Sequence, residues 1–278
     1  MSIAEPAQLE RWQRFRTNRN KALATRHGWL TLTSFQWLES EPSAVDLAPG
    51  LWSTDGTTAA LTAAAQDGLT LVATGEPVVG TISAALTNED SLMWVQYGGA
   101  DGQQVVVELA MRADRYAIRT RDSASPVLTE FDGVPAFGYN PDLVIEAAYE
   151  PYPEPVAVPI GTANPLVDGL HYSVGEVVFR LPGIDHEYRL HAEEEKLGAL
   201  TITFHDGTNG DTTDEWRKVS TARPRVDKEG NATVVLDFNR AINYPSAFTP
   251  FGTCPMPVKN NSLDARIEAG EKQPTLAD

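Results

Sequence analysis

The chain opens with a pattern of apolar positions that is typical of a helix. Leu9, Trp12 and Phe15 recur at three-residue spacing with arginines between them, and Pro6 stands where a first helical turn accepts proline. We therefore expect an N-terminal α-helix over about residues 6–25. Because its apolar stripe carries aromatic rings, we expect Trp12 and Phe15 to be largely buried against a core.

After Gly50 the pattern changes to short apolar runs separated by Gly, Asn and Asp. Runs rich in β-branched and aromatic residues are typical of strands, and the short polar interruptions are typical of hairpin turns. They predict a β-rich body over about residues 50–238. The runs are LTLVAT, LMWVQY, QVVVEL, RYAIRT, GEVVFRL, EYRLHA, ALTITF and ATVVLDF.

A proline-rich segment, NPDLVIEAAYEPYPEPVAVPIGTANP, separates the first four runs from the last four. Proline cannot donate to a strand ladder, so we interpret the segment as an extended connector or an edge strand. Its apolar residues still alternate, which favours one continuous sheet surface over a linker between domains. The whole pattern predicts a mainly β fold: a single antiparallel β-sandwich or barrel-like domain over residues 1–278, with an N-terminal α-helix and a long Pro-rich C-terminal loop.

Charge and cysteine content narrow the classes of partner. The 278 residues include 22 Lys and Arg against 38 Asp and Glu, a formal net charge of −16. A field of that sign repels phosphate backbones and anionic lipid headgroups, so we expect neither nucleic acid nor a membrane as partner. The single cysteine forms no intrachain disulfide, the N-terminus lacks an apolar signal region, and no run of about eighteen apolar residues occurs. These features predict a cytoplasmic protein.

The sequence lacks the strong motifs of cofactor and metal chemistry. It has no phosphate-binding Gly-Lys-Ser/Thr loop, no paired-cysteine site and no Gly-x-Ser-x-Gly turn. His186 and His191 lie five residues apart, which puts them on opposite faces of a strand. His205 and Asp206 could contribute to a metal site, but a zinc site needs three or four ligands that converge. We therefore expect no metal and no cofactor.

The closing segment, residues 239–272, carries most of the candidate chemistry. Four prolines between Pro245 and Pro257 fix φ repeatedly, so the loop over residues 239–257 is stiff without being regular. A stiff loop holds polar groups in place at little entropic cost on binding, and such groups can face one cavity. The alternative is that they bond loop carbonyls and that the segment is only a lid over the sheet. The polar residues are Asn239, Arg240, Asn243, Tyr244, Ser246 and Thr249.

The run VVLDFNRAINYPSAFTPFGTCPMPVKNNSLDARIEAGEK closely resembles the signature of the family known as domain of unknown function 1684. HGWLTLTSFQWL, RDSASP and LTITFHDGTNG match that family in the same order, so the resemblance covers nearly the whole chain. It implies no activity, since the family's activity is unassigned. Family members usually carry a cysteine where this chain has Ser246, which excludes a mechanism based on a cysteine there. TTDEWRKVS replaces a Thr-Tyr-Gly-x-Gly-Arg-like stretch and leaves a tyrosine role near Thr213 unsupported, while Arg217 keeps the arginine.

Our leading hypothesis is a small-molecule binder with a cavity walled by the 239–257 loop. An arginine is a local positive charge in an acidic protein, and its planar guanidinium donates two parallel hydrogen bonds to a carboxylate or phosphate. The candidate anion-binding arginines are Arg240, Arg121 and Arg217. Arg121 and Asp122 have an alternative interpretation as the salt-bridged end of the strand RYAIRT. The remaining ligand-binding candidates are Asn239, Tyr244 and Asp122.

Two other hypotheses belong to different functional classes. The first is a hydrolase or isomerase that uses Cys254 as nucleophile, or Asp206 or Asp237 as general base with Tyr244 nearby. A catalytic thiolate needs a histidine or a helix N-terminus close by, and FGTCPMP supplies neither, so we expect Cys254 to be a buried packing residue. The second is an interaction scaffold whose proline loop meets a protein partner.

Overall fold

The structure is a computed structural model that describes residues 4–99 and 102–275. Within these residues the contacts define two compact units. The first unit takes residues 4–21 and Asp132–Thr275, and the second takes Ala22–Phe131. The organisation as one domain over residues 1–278 stays a prediction.

The helices are α1 (Ala4–Leu23) and a single turn, α2 (Pro126–Thr129). The predicted N-terminal helix is therefore confirmed, two residues shorter at its C-terminus than expected. Gly28, which follows it closely, donates its backbone N–H to Thr25, and a Cβ there would lie 2.7 Å from the Thr25 oxygen. In the part of the chain that the structure describes, no helix is long and apolar enough to cross a membrane.

The strands of the second unit form two antiparallel sheets, one ordered β1-β9-β8-β7-β5 and the other β2-β3-β4-β6. Trp52 and Trp94, one from each sheet, meet with ring centroids 5.8 Å apart in a shared apolar core. This unit is therefore a β-sandwich. The strands are β1 (Leu32–Trp37), β2 (Ser43–Val45), β3 (Ala48–Thr54), β4 (Ala59–Ala63), β5 (Thr70–Leu71), β6 (Gly80–Ala84), β7 (Ser91–Gly98), β8 (Gln104–Arg112) and β9 (Arg115–Asp122).

The strands of the first unit form one antiparallel sheet in the order β15-β16-β10-β11-β12-β13-β14-β17. None of the sheets in the described residues closes on itself, so the fold is mainly β and antiparallel, as predicted, but not barrel-like. The strands are β10 (Val144–Ile160), β11 (Gly169–Phe179), β12 (Tyr188–Glu194), β13 (Leu200–Phe204), β14 (Arg217–Ser220), β15 (Arg225–Val226), β16 (Ala232–Asp237) and β17 (Ile242–Asn243).

The proline-rich segment forms β10, and its prolines fall where one side of the strand is open. Residues 144–149 pair with β16, whereas the pairs with β11 continue to Ile160. The pairing with β11 shifts register between Pro151 and Val156. Proline cannot donate to a second neighbour, so the half that contains it is an edge, in line with the prediction.

One face of this sheet packs against the closing segment. Leu190, Ile202 and Leu236 from the sheet share a core with Leu263 and Ile267. These five side chains are at most 2% exposed. The segment after β17 therefore stays irregular yet supplies part of the core, and its polar groups are fixed beside that core.

Candidate functional site

A groove of about 490 Å³ opens on the first unit. Its walls come from α1, from the start of β10 and from the end of β16 with the 3-10 turn that follows it. Its volume lies within the range of about 300–1,000 Å³ that small-molecule sites usually occupy. The lining residues are Gln8, Arg11, Trp12, Arg14, Phe15, Asn18, Tyr139, Val144, Val235, Asp237 and Arg240.

Three arginines give this groove a positive rim in an acidic protein. Arg11 and Arg14 lie on α1, and Arg240 closes the 3-10 turn Phe238–Arg240. All three are exposed to solvent. The guanidinium of Arg240 lies 4.6 Å from the centre of the Phe15 ring, a cation–π contact that holds the charge at the groove wall.

Asp237 is the acidic group of the groove. Burial raises its pKa, while the hydrogen bonds from Asn239 and the charge of Arg240 act in the opposite direction. Its Oδ1 accepts the Asn239 backbone N–H at 3.1 Å and the Asn239 side-chain amide at 3.0 Å. The structure therefore brings two of the predicted residues, Asp237 and Arg240, together at one groove.

Asn239 supports the groove from behind. Its side chain is buried, accepts the backbone N–H of Asn140 at 2.7 Å and donates to the Asn140 oxygen at 2.8 Å. Its backbone oxygen accepts the indole N–H of Trp12 at 3.0 Å. The Asn239 side chain thus bonds a loop carbonyl, which is the structural alternative to ligand binding, and its backbone oxygen fixes α1 to the 3-10 turn. Trp12 and Phe15 are only partly buried, because they line the groove.

Glu271 anchors α1 a second time. Its side chain is 0% exposed and bridges Arg16, at 2.8 Å, and Arg19, at 3.1 Å. It also accepts the backbone N–H of Asn243 at 2.7 Å, while Arg16 donates to the oxygen of Val134 at 2.6 Å. The long closing segment therefore does two things: it completes a core and it holds the helix that forms one wall of the groove.

Arg217 lies away from the groove, in a buried ion pair. It meets Asp206 at 2.7 Å, and both side chains are 0% exposed. The guanidinium also donates to the backbone oxygens of Ala269, Glu271 and Ile267. The Asp206 carboxylate accepts from Thr208 and from the Ile267 N–H as well. We therefore assign Arg217 and Asp206 to the stability of the closing segment.

Arg121 and Asp122 belong to the second unit, at the end of β9. Arg121 is buried and pairs with Glu108 at 2.6 Å, and Glu108 also pairs with Arg119 at 3.3 Å. Burial raises the pKa of Glu108, but the two guanidiniums outweigh it and leave that pKa below its ordinary value. Asp122 accepts the side-chain amide of Gln103 at 2.7 Å. This arrangement matches the alternative of a salt-bridged strand end.

Tyr244 and Cys254 lie together in a small apolar cluster with Trp216. The Tyr244 hydroxyl bonds the Thr203 hydroxyl at 2.6 Å, and burial raises the pKa of Tyr244. Cys254, the single cysteine of the chain, is 7% exposed. Both residues thus occupy packed positions, and neither lines the groove.

Another depression, of about 580 Å³, is lined by Tyr244, Glu193 and Lys218 among other residues. Burial raises the pKa of Glu193, which lies 3.4 Å from the Nδ1 of His171. Burial lowers the pKa of His171 to about 4, and His191 adds to the shift, so His171 is neutral at pH 7. Within residues 4–99 and 102–275, no three His, Cys, Asp or Glu side chains are arranged to hold a metal ion.

The sequence of this chain matches a known protein family. A family model described as "Protein of unknown function (DUF1684)" matches residues 129–272. The chain belongs to this family. A solution NMR structure of an uncharacterised protein of Haloarcula marismortui is 26% identical, covers 52% of this chain and 78% of that protein, and has a TM-score of 0.41. No curated protein matches the chain.

The residues that the DUF1684 model matches include only part of the groove. Tyr139, Asp237 and Arg240 lie inside the matched residues, whereas Arg11 and Arg14 lie before them. Sequence reasoning found Arg240 from the closing motif but missed the helix arginines. Arg11 and Arg14 are adjacent in sequence to Trp12 and Phe15, the aromatic positions of the predicted helix. Residues three apart lie on the same side of a helix, so this spacing could have identified both arginines.

Alkylation measures how firmly Cys254 is packed. We expect iodoacetamide to modify native Cys254 at least about tenfold more slowly than the unfolded chain, because reaction at a buried thiol waits for local opening. Mass spectrometry of samples quenched over time, with and without urea, gives the two rates. Fast modification of the native chain, slowed by a bound anion, would instead favour the hydrolase hypothesis.

Proposed function

We propose that this DUF1684 protein binds a small molecule with a carboxylate or phosphate group in the α1 groove. The observation that carries the proposal is the convergence of Arg11, Arg14 and Arg240 on one groove in a chain of net charge −16. A chain with that charge repels anions over most of its surface, so a local cluster of arginines marks a place that accepts one. The proposed setting is the cytoplasm, which the cysteine content favours.

Arginine suits this role for two reasons. Its planar fork donates two parallel N–H groups to a carboxylate or phosphate, and it stays charged at any physiological pH. Phe15 and the two anchors of α1, at Asn239 and Glu271, restrict the positions of the groove walls before a ligand arrives. Such preorganisation lowers the entropic cost of binding.

Titration calorimetry with benzoate and with phenyl phosphate tests the proposal. We expect at least one of them to bind, and Arg240→Gln to weaken its binding about tenfold or more, since a hydrogen bond to a charged group contributes about 1.5–3 kcal/mol. Arg266→Gln is the matched control, because Arg266 is exposed and pairs with Asp211 outside the groove. Equal weakening in both variants, or no binding of either anion, would overturn the proposal.

A further inference from the structure

We propose that the ligand of the α1 groove carries, beside its acidic group, a flat ring with a hydrogen-bond donor on it. The inference rests on the proposed function and adds the chemical class of the ligand. Two features of the groove support it: the aromatic side chains that line it, and a carboxylate oxygen that accepts no hydrogen bond from the residues that the structure describes.

Three aromatic side chains, Trp12, Phe15 and Tyr139, are among the residues that line the groove. Trp12 and Tyr139 lie with ring centroids 5.9 Å apart at an angle of 52°. Their polar ends are already used, because the Trp12 N–H donates to Asn239 and the Tyr139 hydroxyl donates to Gln8 at 3.3 Å. Neither group has a proton left to donate, so these residues offer a ligand mainly the surface of their rings. Rings prefer to pack against other rings in offset or edge-to-face geometry.

The Arg240 guanidinium lies over the ring of Phe15. The Arg240 guanidinium therefore lies where the aromatic side chains of the groove meet its arginine side chains. An acidic group bound by Arg240 is thus placed next to these aromatic side chains. The arrangement favours a ligand in which the acidic group and the ring are directly joined.

Asp237 supplies the second feature. Both hydrogen bonds from Asn239 go to its Oδ1, and among residues 4–99 and 102–275 the Oδ2 atom accepts no hydrogen bond. Asp237 lines the groove, and no ion pair within 4.0 Å joins it to Arg240 among the same residues. An ionised carboxylate accepts and never donates, so the group that it suits on a ligand is an N–H or O–H donor.

Four phosphate esters separate these features in titration calorimetry of the full chain. Methyl phosphate tests the acidic group alone, cyclohexyl phosphate adds an apolar ring, phenyl phosphate makes that ring flat, and 4-aminophenyl phosphate adds a donor. We expect affinity to rise along this series. The flat ring should gain about three- to tenfold over cyclohexyl phosphate, and the donor about as much again over phenyl phosphate.

Matched variants assign each gain to a side chain. Tyr139→Leu should remove the preference for phenyl over cyclohexyl phosphate, whereas Tyr139→Phe, which keeps the ring, should retain it. Asp237→Asn should abolish the preference for 4-aminophenyl over phenyl phosphate and leave the other preference intact. Circular dichroism of each variant confirms that the chain is folded before its affinities are compared.

The outcomes separate this inference from the proposed function. Similar binding of all four esters, lost in Arg240→Gln, would overturn the ring and the donor while leaving anion binding in place. Binding of none of the four esters, and no binding of benzoate, would overturn both. A preference for phenyl phosphate that survives Tyr139→Leu would overturn the assignment of the ring contact to Tyr139.

Discussion

Replacing Glu271 by glutamine is expected to lower the free energy of unfolding by about 3–5 kcal/mol, the usual cost of removing one partner from a buried ion pair. The carboxylate is 0% exposed and faces Arg16 and Arg19, whose side chains are only 11% and 18% exposed. An amide of the same shape keeps one acceptor for the Asn243 N–H. It leaves two largely buried guanidiniums without a counter-charge.

Urea unfolding followed by tryptophan fluorescence measures this change. Glu268→Gln is the control, since Glu268 lies three residues away and pairs with Arg266 at 3.2 Å while 60% exposed. Exposed pairs contribute about 0–1 kcal/mol, so this variant should unfold almost as the parent does. If Glu271→Gln were equally mild, α1 would not depend on this anchor.

Asp206→Asn is expected to cost a similar amount, about 3–5 kcal/mol, because it leaves Arg217 charged and buried. Burial already lowers the pKa of Arg217, and the Asp206 carboxylate works against that shift. The amide nitrogen of asparagine would also meet guanidinium N–H groups, so donors would face donors. The expected result is loss of order in the closing segment, whose backbone oxygens at Ile267, Ala269 and Glu271 all accept from Arg217.

The control here is Asp211→Asn. Asp211 pairs with Arg266 at 2.9 Å on the surface, where the two side chains are 63% and 46% exposed, so solvent screens the pair. Hydrogen exchange of the backbone amides locates the effect: protection should fall over residues 263–272 in Asp206→Asn and stay unchanged in Asp211→Asn. Undiminished protection in the first variant would show that the ion pair is dispensable.

The sequence predicted the local structure well because local patterns carry it. The three-residue spacing of Leu9, Trp12 and Phe15 is a property of one helix, and the alternating apolar runs are a property of single strands. The prolines predicted that part of β10 is an edge and that the closing segment is irregular. These predictions are also local, because a proline lacks the backbone N–H at its own position. Arg240, on the rim of the groove, was also predicted from a local motif.

The partners of the charged residues came only from the tertiary structure. Arg217 and Asp206 are 11 residues apart, but Arg16 and Glu271 are 255 apart, and nothing in the sequence links such distant charges. The three candidate anion-binding arginines were alike in sequence, yet burial put Arg121 and Arg217 into ion pairs and left Arg240 on a groove. A charge in the interior must be paired, whereas a charge at a groove keeps N–H groups for a ligand. The sequence determined which segments are helix, strand and loop. Long-range packing decided which arginines form buried ion pairs and which lie exposed on a groove.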